Sequence, residues 1–418
     1  LTEKDKWKEA IEEMSGAVMV AGFPCTPWSK SGSQTGKEHK EGMVFWNLLE
    51  MMKSLDSPAF IFENVPNLLG DKHTNVWVEM KEALEEKYTI NYDIISTKDV
   101  GVPQNRKRVF IIGVKKEKDT PLDFFKKEFE DIKKSKDPGN LDDFLKSAET
   151  GPLLTDTYRK ALLHWEKYFV WLEKGDLIQG ISKPVWGMEI YYKSKYDIDK
   201  LQEKLDRTEE GKLTWNHGQN KKELLEVLDE GVQTKAKKLP FEKICDEFLP
   251  PYYREVVKGE SVGYKELPTF AGNSRKHLEE VEKWVKDNEG KAAWDAWVKK
   301  LEEELGESFQ KLEWNVGKES PSSSKANGDE ARLCAKFGKY LIQFRGSGIR
   351  FSRKKIFPTL VAIGQVPYTR KGRSRKLTQP HWSTLAKLQS IPEEHIKRAR
   401  EENLFGTNGE PIKRLGNA

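Results

Sequence analysis

Apolar residues in the first 115 positions of this chain keep two rhythms. The segments "KDKWKEAIEEM" (4–14), "GMVFWNLLEMMKSL" (42–55) and "NVWVEMKEALEEKY" (75–88) repeat apolar positions every three or four residues, the spacing of an amphipathic helix. Between them, "AVMVAGF" (17–23), "AFIFENV" (59–65), "YTINYDIIS" (88–96) and "RVFIIGV" (108–114) are short apolar runs. Runs of that length, ended by turn residues, read as strands, and "AVMVAGF" suits a strand buried in a parallel sheet. The alternation predicts a doubly wound α/β sheet, in which ligands sit beyond the carboxyl ends of the strands. Cys25, Glu63 and Asn64 all fall just past such ends.

The pattern changes near Lys116. Charged helical stretches such as "WDAWVKKLEEELGESFQKLEW" (294–314) alternate with irregular sequence, and eight of the 13 tryptophans lie between positions 116 and 327, as a separate small core requires. "KESPSSSKANGDEA" (318–331) reads as a flexible linker. The expected organisation is an α/β core over 1–115, a mostly helical inserted region over 116–340 with its linker near 319–331, and a C-terminal segment over 341–418.

Composition narrows the class. The 418 residues carry 72 basic and 67 acidic side chains, a net charge of +5. That mild excess names no partner, but its distribution does. Residues 341–376 contain ten lysines and arginines and no acid, which suits a surface facing a polyanion. Cys25, Cys245 and Cys334 give neither a disulfide framework nor a metal-binding spacing, and no metal site is expected. They fit a reducing cytoplasm. No apolar run approaches the roughly 20 residues a membrane span needs. "GSQTGKE" (32–38) is one residue short of a phosphate loop and lacks the hydroxyl residue after its lysine.

Cys25 stands between Pro24 and Pro27, at a corner where a strand gives way to a polar loop. A thiol acts as a nucleophile as its thiolate, and such a corner exposes the sulfur. Here the sequence resembles the DNA cytosine-5 methyltransferases. "GFPCTPWS" (22–29) is similar to their nucleophile motif, and "FENV" (62–65) to their Glu-Asn-Val motif. "DVGVPQNRKRVFIIG" (99–113) resembles their Gln-x-Arg-x-Arg motif. "RKLTQPHWSTLAKLQSIP" (375–392) matches a C-terminal motif, with Ile391 where an aromatic usually stands, and "RLGNA" (414–418) matches the start of the last one. Five motifs stand in family order, and the middle of the chain aligns with none.

The resemblance implies an S-adenosylmethionine-dependent, Rossmann-like methyltransferase sheet with an inserted, mostly helical target-recognition domain. It implies that Cys25 adds to C6 of a cytosine flipped out of duplex DNA, that Glu63 acts as general acid at N3, and that C5 takes the methyl group. Of Arg106 and Arg108, one would hold the base or the catalytic carboxylate and the other the local structure. Asn64 and Gln104 would fix backbone around the pocket. Ser29, Ser31 and Gly32 would lie on the loop closing over DNA. Pro24, Val44, Asn417 and Ala418 match cofactor contacts. The basic stretch would complete the phosphate-contacting face. The resemblance implies a restriction–modification system or a phage, in a prokaryotic or phage-infected cell. The alternatives are a transfer-RNA cytosine-5 methyltransferase and a DNA-binding subunit of a split methyltransferase.

The family normally begins with a Phe-x-Gly-x-Gly turn and acidic residues for the cofactor, and none of these is in the sequence. The expectation is therefore a sheet lacking its N-terminal strands, from a truncated frame or from an enzyme whose second polypeptide carries the cofactor half. "AVMVAGF" would then be an open edge with both apolar faces bare, and the chain alone would bind S-adenosylmethionine negligibly.

Overall fold

The computed structural model describes residues 16–24, 43–116, 125–134, 137–145, 150–177, 187–209, 211–259, 267–306, 328–345, 348–353, 355–360, 365–370 and 374–402. They form two compact units, Leu1–Asp143 with Lys355–Leu360, and Phe144–Lys354 with Val361–Ala418.

The first unit runs β1 (Met19–Gly22), α1 (Val44–Ser54), β2 (Ala59–Asn64), α2 (Thr74–Glu85), β3 (Tyr88–Ser96), β4 (Gln104–Asn105), β5 (Lys107–Lys115) and α3 (Lys126–Lys134). Four strands make one sheet in the order β1-β2-β5-β3. β1 and β2 are parallel, whereas β5 runs antiparallel to both β2 and β3. The mixed direction has a local cause. Only the short segment from Thr97 to Arg106 joins β3 to β5, too little chain for a crossover helix, so the strand returns antiparallel.

Helices α1 and α2 cover one face. α1 buries Phe45, Leu49 and Met52, and α2 buries Trp77, Met80 and Leu84, one stripe on each. They pack on Phe60, Phe62, Val109 and Ile111, which alternate along β2 and β5 and so share a face. Gly113 is required here, because a Cβ at that position would stand 2.1 Å from the Phe60 ring.

β1 departs from the expected fully buried strand, and equally from an edge bare on both faces. Met19 turns into the core, while Val18 and Val20 are 55% and 72% exposed. An apolar run cannot report which of its two faces is covered. At the other end of the sheet, β3 occupies its own backbone. Asn91 donates from Nδ2 to the Ile90 oxygen at 2.9 Å, and Asp93 Oδ1 accepts from the Ile94 N–H at 2.7 Å. Such side-chain bonds blunt an edge strand against further pairing.

The second unit is mostly helical and has two cores. Thr155 caps a long helix, α4 (Asp156–Lys174), by accepting from the Tyr158 N–H. α4 packs Trp165, Phe169 and Trp171 against Trp294 and Trp297, and against Ile342, Ile349 and Phe351 of a hairpin. The other core gathers Tyr192, Tyr196, Trp215, Ile244, Cys245 and Tyr253. The tryptophan-rich middle thus supplies two small cores where the sequence suggested one. Cys245 and Cys334 are buried, and Cys245 is pushed up to about 12 by burial. Neither is placed as a nucleophile. Among the described residues no helix is long and apolar enough to cross a membrane.

Candidate active site

The register of β1, β2 and β5 assembles the site. Gly22 pairs with Glu63, and Glu63 with Phe110, so Glu63 shares a face of the sheet with Phe110 and Arg108. On that face, away from α1 and α2, the Arg108 Nε lies 2.6 Å from Glu63 Oε1. Arg108 also donates from Nη1 to the Lys107 oxygen at 2.8 Å, which limits the guanidinium's swing. A Cβ on Gly22 would sit 3.3 Å from Glu63 Oε2, so the carboxylate rests against bare backbone at the end of β1. Cys25 follows Gly22 by three residues in the sequence.

Asn64 turns to the opposite face and is buried. Its Nδ2 donates to the Phe23 oxygen at 3.2 Å, and its Oδ1 accepts from the Val65 N–H at 2.8 Å. One amide thereby ties the exit of β1 to the exit of β2. The two-residue period explains the Glu-Asn order: the acid faces the open side and the amide faces the helices.

Gln104 and Arg106 are buried in the turn before β5. Thr97 holds that turn. Its hydroxyl donates to the Gln104 oxygen at 2.6 Å and accepts from the Arg106 N–H at 3.4 Å. Its own N–H donates to the Arg106 oxygen at 3.0 Å. Asp99 accepts from the Ser96 N–H at 2.9 Å and closes the same corner. Sequence reasoning passed over Thr97 and Gly22. The Ser-x-x-Asp pattern of Ser96 and Asp99, a capping box, was a readable signal for the first. Gly22 opened the motif "GFPCTPWS", but its close approach to Glu63 needs the partner strand.

Pro24 and Val44, expected at the cofactor, are half-buried at the end of β1 and the start of α1. Cys25, Ser29, Ser31, Gly32, Asn417 and Ala418 lie outside the described residues. Of the expected residues, the fold brings Glu63 to Arg108 and Asn64 to Phe23, and it secures Gln104 and Arg106 through their backbone. A cavity of about 800 Å³ runs along β3, lined by Lys81, Tyr92, Asp93 and Phe129, and contains none of them.

In the second unit, the basic stretch includes a hairpin of β6 (Tyr340–Arg345) and β7 (Gly348–Arg353). Arg350 stands opposite Gln343 and Arg345 opposite Gly348, on the face turned away from Ile342, Ile349 and Phe351. Arg350, Arg353, Arg370, Arg375 and Lys376 are exposed. Lys376 meets Glu330 at 3.6 Å, an acid from outside the stretch. Lys354, Lys371 and Arg373 lie outside the described residues. The motif at 375–392 is a short strand, Leu377–Pro380, followed by a helix, Trp382–Leu388, that His381 caps.

The end of β2 thus holds a carboxylate and an amide, and the antiparallel β5 brings a guanidinium to the carboxylate. The family of C-5 cytosine-specific DNA methylases matches residues 2–243, and the chain belongs to it. Its mixed sheet is the α/β sheet of S-adenosylmethionine-dependent methyltransferases. The type II methyltransferase M.SsoII of Shigella sonnei is 41% identical over 102 residues, 24% of this chain and 27% of that protein. M.MthTI of Methanothermobacter thermautotrophicus is 30% identical over 120 residues, 28% of this chain and 36% of that one. The chain thus spans about a third or less of these relatives. The methyltransferase EhMeth of Entamoeba histolytica aligns at 18% identity over 36% of this chain and 45% of that one, with a TM-score of 0.27.

Proposed function

We propose that the chain carries the cytosine-activating part of a DNA cytosine-5 methyltransferase. The Cys25 thiolate adds to C6 of the ring, and electron density moves to C5 and N3. Glu63 holds a proton at N3, and Arg108 orients that carboxyl group. Asn64 and Thr97 fix the backbone on either side. The observation that carries this reading is the Glu63–Arg108 contact against Gly22, on the open face of the sheet. A base stacked in duplex cannot offer C6 to a thiolate, so the target nucleotide flips out. The exposed arginines of the 341–376 stretch would contact phosphates. The type II names of M.SsoII and M.MthTI support a restriction–modification role, and the reading places it in the cytoplasm of a prokaryotic or phage-infected cell.

Methyl transfer needs S-adenosylmethionine as the methyl donor. The side chains of Pro24 and Val44 are apolar and offer no hydrogen bond to ribose hydroxyls or a carboxylate. By themselves these two residues do not hold that cofactor, so the steps assigned to this chain are those of the cytosine ring. They can be tested without a methyl donor. Reversible addition of a thiol to C6 makes C5 exchange its hydrogen with water. The chain should release tritium from duplex DNA containing [5-³H]cytosine, and Cys25→Ser should release none. Release from transfer RNA in place of DNA would move the substrate to RNA. Absence of release from both would overturn the reading.

A further inference from the structure

The second unit holds a group of lysines outside any ion pair with a described residue, well before the basic stretch in sequence. Two short helices carry it, Lys221–Glu226 and Glu230–Ala236. The Lys221 Nζ donates to the Lys237 backbone oxygen at 2.8 Å, which fastens the start of the first helix to the end of the second. That bond sets Lys221 and Lys222 beside Lys237 and Lys238. The last three of these are exposed, as is the loop His217–Asn220 leading into the first helix.

Most nearby acids are engaged elsewhere, although Glu223 also attracts Lys222. Lys204 bonds to both Glu223 and Glu226, the latter at 2.8 Å, and its bond to Glu223 holds that carboxyl below its ordinary range. Asp229 is spent on capping, accepting from the Gly231 N–H at 2.9 Å. Lys235 pairs with Glu247. None of Lys221, Lys222, Lys237 and Lys238 makes an ion pair with a described residue. What remains is a lysine ridge with three exposed side chains, Lys222, Lys237 and Lys238, fastened by Lys221. Ammonium groups on flexible stems suit phosphate oxygens, which need charge and little direction, better than base edges, which need a rigid fork.

We infer that the Lys221–Lys222–Lys237–Lys238 ridge is a second contact surface for the phosphate backbone of duplex DNA, separate from the 341–376 stretch. The inference rests on the reading that this chain acts on DNA. It predicts contacts indifferent to sequence.

The test uses the full chain and a 20-base-pair duplex, with affinity measured by fluorescence anisotropy between 50 and 200 mM salt. Each lost phosphate contact reduces the slope of log K against log salt by about 0.9. The triple variant Lys222→Gln, Lys237→Gln, Lys238→Gln leaves the Lys221 bond in place. It should flatten the slope by about 2 to 3. Its arginine counterpart should keep the slope. A control triple, Lys174→Gln, Lys258→Gln, Lys286→Gln, removes equal charge from lysines that are paired with acids. It should leave the slope nearly unchanged. Equal flattening by ridge and control, or none by the ridge, overturns the inference while the DNA reading stands. Flattening with duplex RNA alone also overturns it. A wild-type chain with no salt-dependent affinity for DNA removes the inference together with the reading beneath it.

Discussion

Glu63 and Arg108 stand 45 positions apart in the sequence and 2.6 Å apart in the fold, on antiparallel strands that present them to one face. The pair fixes where the carboxylate points. Replacing Arg108 by alanine should slow tritium release from [5-³H]cytosine DNA by about 10²- to 10³-fold, the usual loss on removing one aimed charged donor. Lysine should recover little of it, because one ammonium cannot bond Glu63 and the Lys107 oxygen with the same geometry. Release within twofold of wild type in Arg108→Ala would leave Arg108 without this role.

Asn64 makes a different prediction because its contribution is to stability. Asn64→Ala would leave the buried Phe23 carbonyl and Val65 N–H without their side-chain partner. The expected loss is about 1–3 kcal/mol, read from urea unfolding. Asn64→Asp should lose more, since a carboxylate would face the Phe23 carbonyl oxygen. Both variants unfolding at the wild-type midpoint would show that another group holds the two strand exits.

Glu189 is fully buried in the second unit. It meets Arg275 Nη2 at 2.8 Å and Tyr196 at 3.1 Å, and also accepts from the Tyr252 hydroxyl. Glu189→Ala strands a buried guanidinium and should cost about 3–5 kcal/mol. Exchanging both Glu189 and Arg275 for leucine and methionine should cost less than that single change. If the double exchange proves the more damaging, the ion pair itself is the larger stabilising element.

His277 gives the second unit a pH dependence of definite sign. Burial lowers its imidazole to about 4, so the folded state holds it neutral. The unfolded chain takes up the proton near pH 6.5. Its share of stability is whole above pH 6.5 and is lost as pH falls toward 4, reaching about 3 kcal/mol. His277→Leu should therefore gain on wild type by that amount between pH 7.5 and 4, measured by denaturant unfolding at each pH. A difference independent of pH would mean that His277 takes up its proton at the same pH in the fold as in the unfolded chain.

Local pattern carried much of this protein. The strands of the sheet and the helices Val44–Ser54 and Thr74–Glu85 fall where apolar spacing put them, because period-two and period-3.6 repeats are properties of short segments; the helix expected over 4–14 lies outside the described residues. The motif "FENV" was legible as local sequence, but the sequence put Glu63 and Asn64 just past a strand end, whereas both lie inside β2, and that is why they face opposite ways. The open face of β1 was not legible, since Val18, Met19 and Val20 are equally apolar and only the packing of α1 and α2 separates them. Nor could the tryptophans announce two cores. The lysine ridge depends on a bond from Lys221 to a backbone oxygen 16 residues away, and the acids that spare it are claimed by Lys204. Strand register decided the rest. Period alone lets Arg108 face Glu63 or miss it by a pair, and the antiparallel return of β5 through the Thr97 corner selects the alignment in which they meet.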